Sequence, residues 1–95
     1  MPASTNHAKI STVSSSATSV AIVAAKQARR GGVIYNSSTA ILYLRYGGGT
    51  GAITAGNYTV AVAADGSHEI LAGFKGAISG IWAAANGFAN VTELS

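Results

Sequence analysis

Apolar residues recur at every second position over most of the chain after its first nineteen residues, and this alternation strongly restricts the possible fold. The clearest run is Ile41–Tyr46, in which Leu42, Leu44 and Tyr46 would share one face of a strand. A second run, Tyr58–Ala63, repeats the pattern. A period of two is typical of strands with one buried face, and it disfavours amphipathic helices over these stretches.

Turn-forming residues separate the alternating stretches. Asp65-Gly66 and Asn86-Gly87 are hairpin dipeptides, and Asn36–Ser38 is a further turn signal. Seven or eight short strands at a spacing of roughly 8–12 residues indicate an antiparallel sandwich or barrel. We therefore predict an all-β fold, a single small antiparallel β-sandwich. The expected strands lie at Val20–Val23, Val33–Tyr35, Ile41–Tyr46, Tyr58–Ala63, Glu69–Leu71, Ala77–Ala83 and Phe88–Leu94.

One segment, Val20–Arg30, also admits a helix. It is rich in alanine and ends in two arginines followed by Gly31-Gly32, as a basic last turn with glycine caps would. The branched side chains of Val20, Ile22 and Val23 and the lack of an acidic first turn favour a strand through Val23.

The first 18 residues have a different character. They include Pro2 and the run Ser14–Ser16, with only Ile10 and Val13 as large apolar residues. Such a terminal segment is poorly ordered unless it packs against the rest of the chain or against another subunit. We therefore divide the chain into an N-terminal arm, residues 1–18, and a β-sandwich domain, residues 19–95.

Charged residues make up only 9% of the 95-residue chain, against roughly 25% in an average globular protein. Hydrophobic residues make up 48%, which is enough for a core, and there is no cysteine for a disulfide or a thiolate metal site. The core of so small a domain is marginal, so association is the remaining means of stabilising it. We expect a homo-oligomer within a repetitive assembly.

The few charges are unevenly distributed. Residues 1–45 contain five lysines and arginines and no acid, whereas the net charge of the whole chain is +3. A basic half indicates an acidic partner, and five charges over 45 residues are too dispersed for a typical nucleic-acid footprint. We expect an acidic protein surface and no nucleic acid. The candidate assembly contacts are Lys26, Arg29, Arg30 and Arg45, with ordinary solvated charges as the alternative.

Signals for membranes, cofactors, metals and catalysis are weak. The apolar run Val20–Ala25 is shorter than the roughly 20 residues of a spanning helix. Gly47–Ala52 matches G-x-G-x-x-A, but an alternating strand follows it instead of a helix. Ser67 and His68 would point to opposite faces of a strand, so they cannot form a triad. We expect no membrane partner, no cofactor, no metal and no enzyme activity.

Aromatic residues leave one other class of function open. Trp82 or the four tyrosines could form a platform for sugar rings, although at strand spacing such residues are more typical of a core. A small carbohydrate-binding module is therefore an alternative.

Four segments resemble a group of small structural proteins of tailed bacteriophages. They are Arg29–Ser38, Ala40–Leu44, Gly76–Ala83 and Gly87–Glu93. The group has an Arg-Lys/Arg-Gly start, an Ile-x-Asn turn, an Ala-x-Leu-Tyr strand and a terminal Ile-Trp-Ala followed by Val-Thr-Glu. The resemblance covers roughly residues 29–95, and the Gly47–Gly51 loop and the serine-rich extension before residue 29 depart from it.

The resemblance implies a non-enzymatic β-sandwich, often of jelly-roll type, that forms trimers or sits on a symmetric particle. The function we expect is that of a capsid decoration (cement) protein, which binds the major capsid protein and stabilises the icosahedral head. It would be made in the bacterial host cytoplasm and would lie on the outer surface of the virion head. A neck, tail or fibre component is the alternative within the same group.

Overall fold

The computed structural model describes residues 8–47 and 57–95, which form eight strands and no helix. The strands are β1 (Ala8–Ser14), β2 (Val20–Val23), β3 (Gly31–Ser37), β4 (Leu42–Tyr46), β5 (Val60–Val62), β6 (Ser67–Ile70), β7 (Ile78–Trp82) and β8 (Phe88–Leu94). Val20–Val23 is a strand followed by a loop, so the helical alternative for this segment is wrong. Of the Gly47–Ala52 motif, only Gly47 is among the described residues.

The strands form two antiparallel four-stranded sheets. The first sheet has the order β1-β8-β3-β6 and the second has the order β2-β7-β4-β5. Except within the β4–β5 hairpin, each strand is followed by a strand of the other sheet. This winding of eight strands into two sheets is a jelly roll. The predicted all-β sandwich is confirmed.

The core lies between the two sheets and follows the period of two. On β4, Leu42 and Leu44 have no exposed surface, and Tyr46 packs against the same cluster. On β7, Ile78 and Trp82 face inward on either side of Gly80, where a Cβ would press against side chains of the core. The alternation therefore identified the inward faces of β4 and β7 correctly, because each of these strands has one face on the core and one on the surface.

The sandwich extends into the segment that we assigned to the N-terminal arm. Ala8–Ser14 is the edge strand of the first sheet, and it pairs with β8 along its whole length, from Ala8 opposite Leu94 to Ser14 opposite Phe88. Its one anchor in the core is Val13, which is half-buried. The placement of the domain boundary after residue 18 is corrected: the first strand of the jelly roll lies within those residues.

The connections between strands divide between the two ends of the sandwich. One end, called here the small-residue end, carries the turns at residues 15–19, 38–41, 63–66 and 83–87. The opposite end, called here the basic end, carries the β2–β3 loop (24–30) and the β6–β7 loop (71–77). The start of β3 and the end of β8 also meet there, with Gly31 opposite Leu94.

Candidate interaction surfaces

All the lysines and arginines of the chain lie at or near the basic end. They are Lys9, Lys26, Arg29, Arg30, Arg45 and Lys75. Glu69 and Glu93 lie in the same half of the sandwich, and six cations against two carboxylates leave a net charge of +4 there. Asp65, the remaining charged side chain, lies at the small-residue end. The sandwich is therefore polarised along its strands.

Arg29 is not on the surface. Its side chain has no exposed surface, and Nη1 lies 3.1 Å from Oε2 of Glu93, which is itself only 14% exposed. The guanidinium also donates hydrogen bonds to backbone carbonyls of Ala24 (3.0 Å), Phe74 (3.3 Å) and Gly76. The assignment of Arg29 as an assembly contact is therefore corrected, because its hydrogen bonds are directed into its own chain.

Arg29 instead joins the loops that carry the other cations. The Ala24, Phe74 and Gly76 carbonyls belong to the β2–β3 and β6–β7 loops, which one guanidinium thereby holds together. The ammonium of Lys75 donates to the carbonyl oxygen of Arg29, and the backbone N–H of Lys26 donates to the carbonyl of Lys75 at 2.9 Å. The two loops therefore form one bonded unit.

Of the remaining predicted contacts, Lys26 and Arg30 lie together at the basic end, whereas Arg45 lies apart from them. Arg30 is exposed and Lys26 is half-buried, and neither side chain has a hydrogen bond or ion pair to the described part of the chain. Arg45 is half-buried on the outer face of β4, opposite Ser79 of β7. Lys75, which lies in the acidic half of the sequence and was not among the predicted contacts, lies at the same end on the β6–β7 loop.

An open groove of about 260 Å³ lies beside Arg30, along the junction of β3, β6 and β8. Its lining is formed by Arg30, Gly31, Gly32, Val33, Glu69, Ile70, Ala72 and Leu94. A Cβ on Gly32 would collide with the carbonyl oxygen of Thr92, so glycine is needed for the close approach of β3 to β8. The groove is therefore lined by two glycines, by apolar side chains and by one charge of each sign.

The outer face of the first sheet is apolar and nearly uncharged. Ile10 is 72% exposed, and Val33, Tyr35 and Phe88 are each exposed on the same face. Glu69 is the one charged residue that this face carries among the described residues. Such a face is typical of a surface that contacts another protein rather than of one that only faces water.

A buried polar cluster occupies the interior near the small-residue end. Asn36 donates through Nδ2 to the carbonyls of Ala40 (2.7 Å) and Val62 (3.1 Å), and its Oδ1 accepts from Ser38 Oγ and from Trp82 Nε1. Trp82 is only 1% exposed. Its indole is therefore a structural element of the core and offers no surface to a sugar ring.

His68 and Tyr46 form a second internal contact. His68 Nε2 lies 2.5 Å from the hydroxyl of Tyr46, and the Leu71 N–H donates to that same hydroxyl at 3.3 Å. Burial lowers the pKa of His68 below its usual value of 6.5, against a smaller opposing effect of the Glu69 carboxylate. Neutral His68 can therefore accept a hydrogen bond from the Tyr46 hydroxyl through Nε2. Ser67 lies on the opposite face of β6, exposed and opposite Tyr35.

Within residues 8–47 and 57–95, no group of three or more His, Asp or Glu side chains is placed to hold a metal ion. The same residues include no helix long and apolar enough to cross a membrane. Comparisons of the chain with protein-family models, with curated proteins and with solved structures find no match.

Proposed function

We propose that this protein is a non-enzymatic structural protein of a tailed-phage virion, a decoration protein that binds the outside of the capsid and stabilises it. The observation that carries the proposal is the distribution of charge over the jelly roll. Each outer sheet face carries one charge among the described residues, Glu69 on the first sheet and Arg45 on the second, while the cations gather at one end. A fold with such faces suits burial against neighbouring proteins.

The resemblance to phage structural proteins adds support, and the structure indicates what its pattern does. Arg29 begins the first matching segment and Glu93 ends the last, and these two residues form the buried ion pair. Gly32 and Glu93 are opposite each other in the β3–β8 pair. The matching residues therefore include ones that stabilise the packing of β3 and the β2–β3 loop against β8. The pattern supports the fold more directly than it supports any particular contact with a partner.

A decoration protein would act by mass action. A subunit that binds only to the assembled shell stabilises the assembled state by RT ln(1 + [L]/Kd), about 2.7 kcal/mol per site when its free concentration is 100 times Kd. Binding across the boundaries between capsomers would add contacts that the shell proteins do not make with one another. No catalytic group is needed for this role.

The first test is the copy number of the protein in purified phage particles, measured by quantitative mass spectrometry. A decoration protein follows the symmetry of the shell, so we expect on the order of hundreds of copies per particle. About a dozen copies would assign the protein to the neck, tail or fibre instead. Absence from particles would contradict a virion role altogether.

A further inference from the structure

We propose that the basic end is the docking surface, that its partner is an acidic protein surface, and that the groove beside Arg30 receives a carboxylate-bearing segment of that partner. The identity of the partner as a capsid protein rests on the proposed function. The chemistry of the surface is argued from the residues alone.

The first argument is the charge that remains free after internal pairing. Glu93 is engaged by Arg29, so its carboxylate offers no compensation to Lys26, Arg30 and Lys75. The side chains of Lys26 and Arg30 form no ion pair within the described part of the chain. An end of the molecule with this excess of positive charge attracts a negative surface and accelerates the encounter with it.

The second argument is that these cations are held in position before binding. Arg30 N–H donates to the carbonyl of Leu94 at 2.7 Å, which fixes its backbone against the end of β8. Lys26 and Lys75 are on the two loops that Arg29 joins. Loops that are already ordered lose less entropy on binding, so more of the interaction energy appears as affinity.

The third argument is the groove. Gly31 and Gly32 present no side chain to it, and Val33 and Leu94 supply exposed apolar surface at its walls. Arg30 at the groove would pair with a carboxylate, for which guanidinium geometry is well suited. Glu69 lines the same groove and would repel that carboxylate. The groove therefore favours an acidic residue placed towards Arg30, with an apolar neighbour against the walls.

These features suit a protein better than a nucleic acid. A phosphate backbone requires a continuous positive track, and Glu69 interrupts the track next to Arg30. Among the described residues, no aromatic side chain lines the groove to stack on a base. Apolar walls beside a single guanidinium match the side chains of an acidic peptide segment.

The experiment measures the affinity of charge variants for phage particles depleted of this protein, and for poly-L-glutamate and a short DNA duplex as probes of partner class. Arg30→Gln and Lys26→Gln each remove one positive charge from the basic end. Ala84→Glu is their matched control, because it makes the same change in net charge on the exposed turn of the small-residue end. Glu69→Gln has Asp65→Asn as its control at the opposite end.

We expect Arg30→Gln and Lys26→Gln each to weaken binding to particles and to poly-L-glutamate by about two- to fivefold at low salt, the range of a single solvent-exposed ion pair. Glu69→Gln should strengthen binding by a similar factor, since it removes the repulsive carboxylate. The two control variants should bind as the unmodified protein does. All differences should shrink as salt screens the charges.

The outcomes separate this inference from the proposed function. If every variant binds depleted particles equally well, the basic end is not the docking surface, although a virion role still stands. If neither the unmodified protein nor any variant binds particles, but the variants differ as expected in their affinity for poly-L-glutamate, the basic end binds acidic chains and decoration of the capsid is wrong. Tighter binding to the DNA duplex than to poly-L-glutamate would overturn the choice of a protein partner.

Discussion

The indole N–H of Trp82 on β7 donates to the side-chain oxygen of Asn36 on β3 across the interior of the sandwich, with Nε1 3.0 Å from Oδ1. The two strands belong to different sheets, so this bond joins the layers through their core. Ser38 Oγ donates to the same oxygen at 2.7 Å, and both side-chain ends of Asn36 are thus occupied. A single amide therefore bonds to two side-chain donors and to the carbonyls of Ala40 and Val62.

Replacing Asn36 by Asp should therefore be strongly destabilising. The carboxylate oxygen that replaces Nδ2 would face the carbonyls of Ala40 and Val62 and could not donate to them. We expect a loss of about 3 kcal/mol or more in the free energy of unfolding, measured by urea denaturation. Asn90→Asp, on the outer face of β8, is the control and should change stability by less than about 0.5 kcal/mol. Equal effects at the two sites would contradict the assigned bonding.

Replacement by methionine should change the free energy of unfolding far more at Arg29 than at the adjacent Arg30. Arg29→Met leaves the Glu93 carboxylate and three carbonyls without their donor, so we expect a loss of about 3–5 kcal/mol. Arg30→Met removes an exposed side chain and should change stability by less than about 0.5 kcal/mol. Thermal unfolding of both variants checks this, and a mild effect at Arg29 would disprove its structural role.

Stability should fall on mild acidification because of His68. Its pKa is lowered in the folded state by burial, so the unfolded chain binds the proton more readily. The stabilising contribution of neutral His68 is fully present above its unfolded pKa of about 6.5 and is lost as the pH falls through the folded value. Urea midpoints between about pH 7.5 and 5.5 should decrease, in a range above the usual titration of carboxyl groups near pH 4.

The variant His68→Gln should remove most of that pH dependence, since glutamine still accepts a hydrogen bond from Tyr46 and does not titrate. His7, which lies outside the described residues, is the other histidine of the chain. If His7→Gln abolishes the decrease of the urea midpoint with falling pH and His68→Gln leaves that decrease intact, the assignment to His68 is wrong.

Two glycines with positive φ should differ sharply in their tolerance of alanine. Gly73 has φ +85° and no atom within 4 Å of the position that a Cβ would take, so Gly73→Ala should cost only the left-handed backbone penalty of about 1–2 kcal/mol. Gly87 has φ +72°, and its Cβ would also collide with the carbonyl oxygen of Ser37. Gly87→Ala should cost at least about 3 kcal/mol. Similar melting temperatures for Gly73→Ala and Gly87→Ala would show that a Cβ at position 87 does not collide with the Ser37 carbonyl.

The sequence predicts most strands because their apolar residues alternate. It misses β1, because Ala8–Ser14 is polar or exposed on both faces and contributes only Val13 to the core. This strand exists through backbone pairing with β8, which leaves almost no trace in side-chain pattern. Local composition therefore indicates an arm where the fold has an edge strand.

The arrangement of the basic end was predictable only in part, for a different reason. Charge counting along the chain groups Arg29 with Lys26 and Arg30 as candidate contacts, because the partner of Arg29, Glu93, is 64 residues away in the sequence. It also omitted Lys75, which the β6–β7 loop brings to the same end. Both features depend on contacts between segments distant in sequence, which only the topology specifies.

The position of β8 between β1 and β3 has a consequence for how the chain folds. Among the described strands, β8 is the only neighbour of β1, so the first of the eight stays unpaired until the eighth is available. Pairing over so long a separation carries a high loop-closure cost and is slow compared with hairpin formation. During synthesis on the ribosome, the β4–β5 hairpin can form early, whereas the first sheet closes only after Phe88–Leu94 has emerged.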